Sequence, residues 1–352
     1  MKTVTFGGLE IPQLTEILMR AEAERKAAEY AAGEPQRLRK AAAFNLDEVF
    51  SSEPTELDFI LPGLLKGTPA LLIAPGATGK SFWSLQAAIS IASGAKIFGI
   101  KVERTGDVVY LSAEDPADIV KNRLRDMAAY LSPDERMKTA QNCYVIDIRG
   151  KRTDIMHEKT RMEIIAMCRG ARLVIVDTLN RVHGLNENDN GEMAVFISQI
   201  ESIAVETGAA ILMCHHTSKM AHLEGRANEQ QSARGASALV DNTRFTGYVS
   251  KMTKEQSNEL SLHENGRPIG DDNRDRYVQF GVAKQNYGEP VSNCWHRREK
   301  GGVLIPIMLY STKSDDKKAA EKGKRSVAAA PEKEYVTIAG MRLEVEDDDT
   351  PF

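Results

Sequence analysis

Cysteine is scarce in this chain: four in 352 residues, at positions 143, 168, 214 and 294. They stand too far apart for a zinc-ribbon spacing or a compact disulfide framework, so they read as reduced thiols in a cytosol. Charge of one sign is lacking too. The 46 basic against 50 acidic residues give a formal charge of −4, which excludes a broad positive surface and leaves room only for a narrow basic channel shared by several subunits. No apolar run approaches the roughly 20 residues needed to cross a bilayer. The opening MKTVTFGGLEIPQ has a lysine but no continuous apolar stretch before a cleavage-like site. A cytoplasmic protein with no membrane partner is expected.

The apolar content, 42%, is enough for at least one large core. Residues 15–32, rich in alanine and glutamate, predict a polar helix closed by Gly33 and Pro35: a solvent-facing appendage, or an arm on a neighbouring subunit. Three segments follow from the pattern: an N-terminal helical extension over 1–56, a large compact domain over 57–312, and a flexible acidic tail over 313–352. Within the second, aliphatic runs at 70–74, 107–111, 143–147, 172–176 and 209–214 alternate with helical patterns at 81–93, 117–130, 155–169 and 191–206. The runs are continuously apolar, as strands covered on both faces are. This order predicts an α/β fold with a mostly parallel central sheet, extended by antiparallel or mixed strands after residue 240. Met193, Phe196, Ile197, Ile200 and Ile203 form one stripe at helical spacing and predict core packing.

The sharpest local signal is Ala74, Pro75, Gly76, Ala77, Thr78, Gly79, Lys80 and Ser81, placed between a strand and a helix. It matches the phosphate-loop pattern except for Ala74 in place of the first glycine. In such a loop backbone N–H groups wrap the phosphates, Lys80 reaches the outer phosphates of ATP and Ser81 holds Mg²⁺; Gly76 and Gly79 are expected where the turn is tight. RLVIVDT ends an apolar strand in Asp177, the position of a magnesium-site carboxylate. VVYLSAEDP places Glu114 on a loop at the same sheet edge, as a base for the attacking water or as solvent-facing charge. Asp115 reads as the cap of the following helix. ILMCHHTSKM ends a further strand in His215 and His216. Zinc would need two more ligands, and neither Cys168 nor His222 offers the spacing. One histidine is left to sense the γ-phosphate, or both are structural. Lys219, Arg226 and Arg234 lie in a glycine- and glutamine-rich segment that reads either as a DNA-contacting loop or as an ordinary solvated one.

Taken together, LDFILPGLLKGTPALLIAPGATGKS, VVYLSAEDP, LVIVDTLNRVH, HHTSK, QQSARGASALVDNTR, FGVAKQNYG and WHRREKGGVL resemble the RepA-type replicative helicases of broad-host-range plasmids, within the hexameric RecA-like ring helicases. The likeness spans about residues 57–304, and alanine or serine at the Ala74 position is shared by that family. It implies a homohexamer that hydrolyses ATP with Mg²⁺, moves on single-stranded DNA and unwinds forked duplex, 5′ to 3′. By the same likeness Lys80 and Ser81 hold phosphate and magnesium, Glu114 is the base, Asp177 a magnesium ligand and His216 the γ-phosphate sensor. Arg244 is the arginine finger for the next subunit. Lys284 resembles a lysine placed near that finger in trans, although related rings often carry an arginine where this chain has Asn286. Arg181 and Lys219, with Arg226 and Arg234, are the expected strand contacts; a replication initiator and a primase are further partners. Two other classes share this chemistry: a RecA-like recombination ATPase that does not unwind, and a regulatory ATPase without DNA as substrate.

Overall fold

The computed structural model describes residues 43–216 and 237–312 continuously, with short pieces among 5–39 and at 335–338 and 341–344. Two compact units result, Met1–Leu57 and Asp58–Phe352. In the first, described residues of the expected helix fall within 16–28, and a second helix covers Leu46–Ser51. Lys219, Arg226 and Arg234 lie outside the described residues. So does most of the expected acidic tail, where the described pieces Tyr335–Ile338 and Met341–Glu344 pair antiparallel.

The second unit is built on nine strands: β1 (Pro69–Ala74), β2 (Val108–Ser112), β3 (Cys143–Asp147), β4 (Leu173–Asp177), β5 (Ala210–His216), β6 (Phe245–Lys251), β7 (Tyr277–Gln285), β8 (Cys294–Arg298) and β9 (Leu304–Ile307). Their order across the sheet is β9-β8-β7-β6-β1-β5-β4-β2-β3. The six strands from β6 to β3 are parallel, and β7, β8 and β9 add antiparallel pairs. This is the expected α/β architecture, with its five central aliphatic runs all present as strands. β8 is the strand that hydrophobic patterning misses: CWHRR has no aliphatic run to mark it.

Helices α1 (Lys80–Ser93), α2 (Ala117–Ala128), α3 (Pro133–Asn142), α4 (Glu158–Cys168) and α5 (Asn190–Thr207) connect the parallel strands. Alternate residues of each strand feed two cores, because successive strand side chains point to opposite faces. Leu72, Tyr110, Ile175 and Leu212 pack with Trp83, Leu85 and Ile89 of α1. Leu71, Val109, Val174 and Ile211 pack against α4 and α5. The predicted α5 stripe is wholly buried, and each such side chain stabilises the fold by about 1.5–3 kcal/mol. That helix starts where the Asp189 carboxylate accepts the Gly191 and Glu192 N–H groups and stops at Gly208, a start and stop its sequence encodes. Helix α3 is the helix the apolar period does not mark. Its signal is a capping box, Ser132 with Glu135, and Pro133 in the first turn.

Candidate active site

The phosphate loop leaves β1 at Ala74 and enters α1 at Lys80. Its turn differs from the expected one. Gly79 has φ 118°, a conformation L side chains rarely adopt, and a Cβ there would meet the Arg298 guanidinium. Gly76 has no such need, and a Cβ on it would meet nothing within 4 Å. The left-handed residue is instead Ala77, at φ 58°. Of the two glycines, only Gly79 is demanded by backbone geometry.

Beneath the loop, Lys80 Nζ donates to Asp177 Oδ1 at 2.6 Å, and the Tyr110 hydroxyl donates to Asp177 Oδ2 at 2.6 Å. Lys80 and Asp177 are both buried. Burial pushes the Asp177 carboxyl up, but the Lys80 charge and hydrogen bonds from Lys80, Tyr110 and Ser81 overcome this and hold it below its ordinary value. Burial likewise lowers the Lys80 ammonium, but Cys214, Asp177 and Glu114 outweigh it and raise it. Asp177 is the partner that matters at neutral pH, because burial pushes the Cys214 thiol up to about 12. Ser81 and Asp177 thus present oxygen donors side by side, the hard ligands that suit Mg²⁺.

A cavity of about 340 Å³ opens above this pair, walled by the loop and by Lys80, Ser81, Glu114, His216 and Arg298. His216 reaches it because the end of β5 lies beside the end of β1, with His216 paired to Ala74. Its Nε2 stands 3.3 Å from Glu114 Oε2. His215, one residue earlier, is buried and does not line the cavity. The two histidines therefore have unlike surroundings, as expected for adjacent strand residues. A lining of loop backbone, the Lys80 ammonium, the Arg123 and Arg298 guanidiniums, the Glu114 carboxylate and the His216 imidazole fits a polyphosphate and an attacking water.

Other expected site residues lie apart from this cavity. Arg244 is exposed and immediately precedes Phe245, which pairs with Ala70 near the amino end of β1. The phosphate loop is at the opposite, carboxyl end. Lys284 donates to the carbonyls of Val240 and Asp241 and so ties β7 to the short helix Ser237–Asn242. Burial lowers its ammonium, with Arg244 adding to the effect and Asp241 opposing it. Arg181 lines a neighbouring cavity that shares Glu114.

Asp115 is not the helix cap: α2 begins after Pro116 with no side-chain cap. The Asp115 carboxylate instead accepts from Arg123 at 2.6 Å. Arg123 stands over the Phe82 ring, 4.9 Å from its centroid, and lines the cavity. Arg298 donates to the Thr78 carbonyl at 2.7 Å. Both arginines escape sequence reading. Arg123 looks like any polar residue of a surface helix, and Arg298 lies on the strand that lacks an apolar run.

Residues 34–222 match the AAA domain family, a stretch longer than half of the chain that contains the phosphate loop, Glu114, Asp177 and His216. The chain belongs to this family. Among solved structures, it is similar to an ATPase domain, at 14% identity and TM-score 0.49, over 77% of this chain and 99% of that one. It is also similar to the RadB recombinase, at 12% identity and TM-score 0.41, over 67% and 90%. The AAA domain here is a P-loop NTPase on a mostly parallel sheet, and further strands extend one side of that sheet. No helix among the described residues is long and apolar enough to cross a membrane.

Two buried histidines should make this chain lose stability in acid. Burial, aided by neighbouring His216, Lys80 and His183, lowers His215 to about 4, and burial lowers His296 to about 4. Unfolded histidine titrates near 6.5, so between these values the unfolded chain binds more protons than the native one, and stability rises with pH. The contribution is present above about pH 6.5 and is lost as pH falls toward 4, by at most about 3 kcal/mol for each histidine. Urea unfolding at pH 7.5 and 4.5 should show the loss, and His296→Phe should make it smaller. An unchanged pH dependence in that variant would contradict the assignment.

Proposed function

We propose that this NTPase is a replicative DNA helicase of the RepA type. In this reading a homohexameric ring hydrolyses ATP, moves along single-stranded DNA and unwinds forked duplex 5′ to 3′, working beside a separate initiator and a primase. The observation that carries it is a site complete in all but one part. Lys80, Ser81, Glu114, Asp177 and His216 gather at one end of the sheet, whereas the exposed Arg244 lies at the other end of the strands, away from its own phosphate loop. An arginine so placed serves the site of the next subunit, and stabilises charge growing on the phosphates only once subunits meet. Phe44, Leu46, Val49 and Phe50, around the helix Leu46–Ser51, are all more than half exposed; a cluster of this kind favours a partner surface.

Within each site the roles follow from position. Lys80 leaves Asp177 to meet the outer phosphates, and Glu114 accepts the proton of the attacking water. His216 contacts Glu114 directly, so a γ-phosphate that draws His216 toward itself frees that carboxylate for water. Ser81 and Asp177 would hold Mg²⁺, which would supply positive charge against the phosphates. Lys284 supports the Arg244 segment through the carbonyls it binds, which suits a place near the finger at the interface. Arg181 and the segment bearing Lys219, Arg226 and Arg234 face the strand in this reading.

The first test is size in solution with and without a non-hydrolysable ATP analogue, followed by hydrolysis with and without single-stranded DNA. A hexamer whose turnover rises with DNA is expected. A monomer that hydrolyses ATP at full rate, indifferent to DNA, would exclude the ring and favour a regulatory ATPase.

A further inference from the structure

Glu114 borders two cavities. One holds the phosphate loop; the other, of about 390 Å³, lies across the carboxyl ends of β2, β3 and β4 and is walled by Glu114, Arg149, Arg152, Thr153 and Arg181. These ends are where ligands bind in open α/β sheets. The three arginines come from two separate segments, the turn after β3 and the short 3-10 helix Leu179–Arg181 after β4. All three are exposed. Among the described residues their side chains have no hydrogen-bond or ion-pair partner, unlike Arg123, Arg172, Arg274 and Arg297, each held by a carboxylate. The turn that brings two of them here is tight. It passes through Gly150 at φ 75° and through Arg152 at φ 45°, a left-handed conformation that costs a non-glycine residue about 1 kcal/mol.

We propose that Arg149, Arg152 and Arg181 form a binding site for the phosphodiester backbone of a single nucleic-acid strand, coupled to hydrolysis through the shared Glu114. The inference deepens the helicase reading and rests on its strand. Three guanidiniums against one carboxylate leave the cavity positive, and planar forked donors suit phosphate oxygens in pairs. Among the described residues no aromatic side chain lines it, so it suits a backbone read without regard to sequence. Glu114 then lies between the strand and the nucleotide. A phosphate arriving at the arginines changes the charge facing that carboxylate, and the ATP site registers that DNA is present.

The test uses the full chain, a fluorescent oligothymidylate and a potassium chloride series, with ATP hydrolysis measured in parallel. Arg149→Ala with Arg152→Ala should bind the oligonucleotide with a salt slope about 1 to 1.5 smaller than wild type, the loss of two single-strand phosphate contacts. The stimulation of hydrolysis by DNA, taken as the ratio of each protein's rate with DNA to its own rate without, should be lost. Lysine at both positions should recover part of the affinity. If wild type binds and is stimulated and the double alanine variant behaves identically, the cavity is not the strand site and the helicase reading stands. If wild type binds no oligonucleotide at any salt concentration, the strand reading fails and this proposal with it.

Discussion

Lys80→Ala should abolish ATP hydrolysis and should also weaken the fold. The first effect follows from the lysine's place at the end of the loop, where its ammonium lines the cavity and would meet the outer phosphates. The second follows from what remains. Asp177 is 5% exposed, and without Lys80 its carboxylate would keep the hydrogen bond from Tyr110 but no cation. Breaking one side of a buried ion pair typically costs about 3–5 kcal/mol, because the surviving charge is stranded. The expected loss in urea unfolding is about 3 kcal/mol, near the lower figure because Tyr110 and Ser81 still donate. A second change, Asp177→Asn in the Lys80→Ala background, removes the stranded charge; it should recover most of the stability and none of the activity. Turnover in Lys80→Ala would refute the phosphate-loop assignment. Unaltered stability would refute the account of the buried pair.

Arg244→Ala should behave in the opposite manner. The residue is exposed and far from its own phosphate loop, so nucleotide affinity and stability should change little, whereas hydrolysis should fall by about 10³-fold or more, the usual effect of removing an arginine finger. Mixing this variant with Glu114→Gln tests whether sites are shared. Where a subunit that keeps Glu114 meets a neighbour that keeps Arg244, the interface has a full set of groups, and mixed rings should regain activity that neither variant has alone. Retained hydrolysis in Arg244→Ala by itself would remove the shared-site account.

The parts of the site legible in sequence share one physical property: each terminates a strand whose apolar run announces it. Lys80 follows ALLIA, Glu114 follows VVYLS, Asp177 ends LVIVD and His216 ends the run that begins at Ala210. A parallel sheet places all four termini at one edge, so local patterns suffice to assemble them. Arg298 reaches the same cavity from an antiparallel strand without an aliphatic run, and its approach depends on the pairing of β8 with β7 and β9, which no local window contains. Arg123 is similarly hidden on a polar helix. Asp115 shows the converse error, since its position suggested a cap whereas a guanidinium eight residues later claims the carboxylate. In the loop, the turn was assigned to two glycines. The backbone uses Gly79 and Ala77.

The most direct test of the whole reading is strand displacement on forked DNA by the wild-type chain with ATP and Mg²⁺, using Lys80→Ala and Arg244→Ala as controls. The account predicts that wild type releases the displaced strand only from forks with a free 5′ single-stranded arm to track on, and that neither variant releases it. DNA-stimulated hydrolysis by wild type with no displacement on any fork would contradict the helicase and leave a strand-binding ATPase that does not unwind.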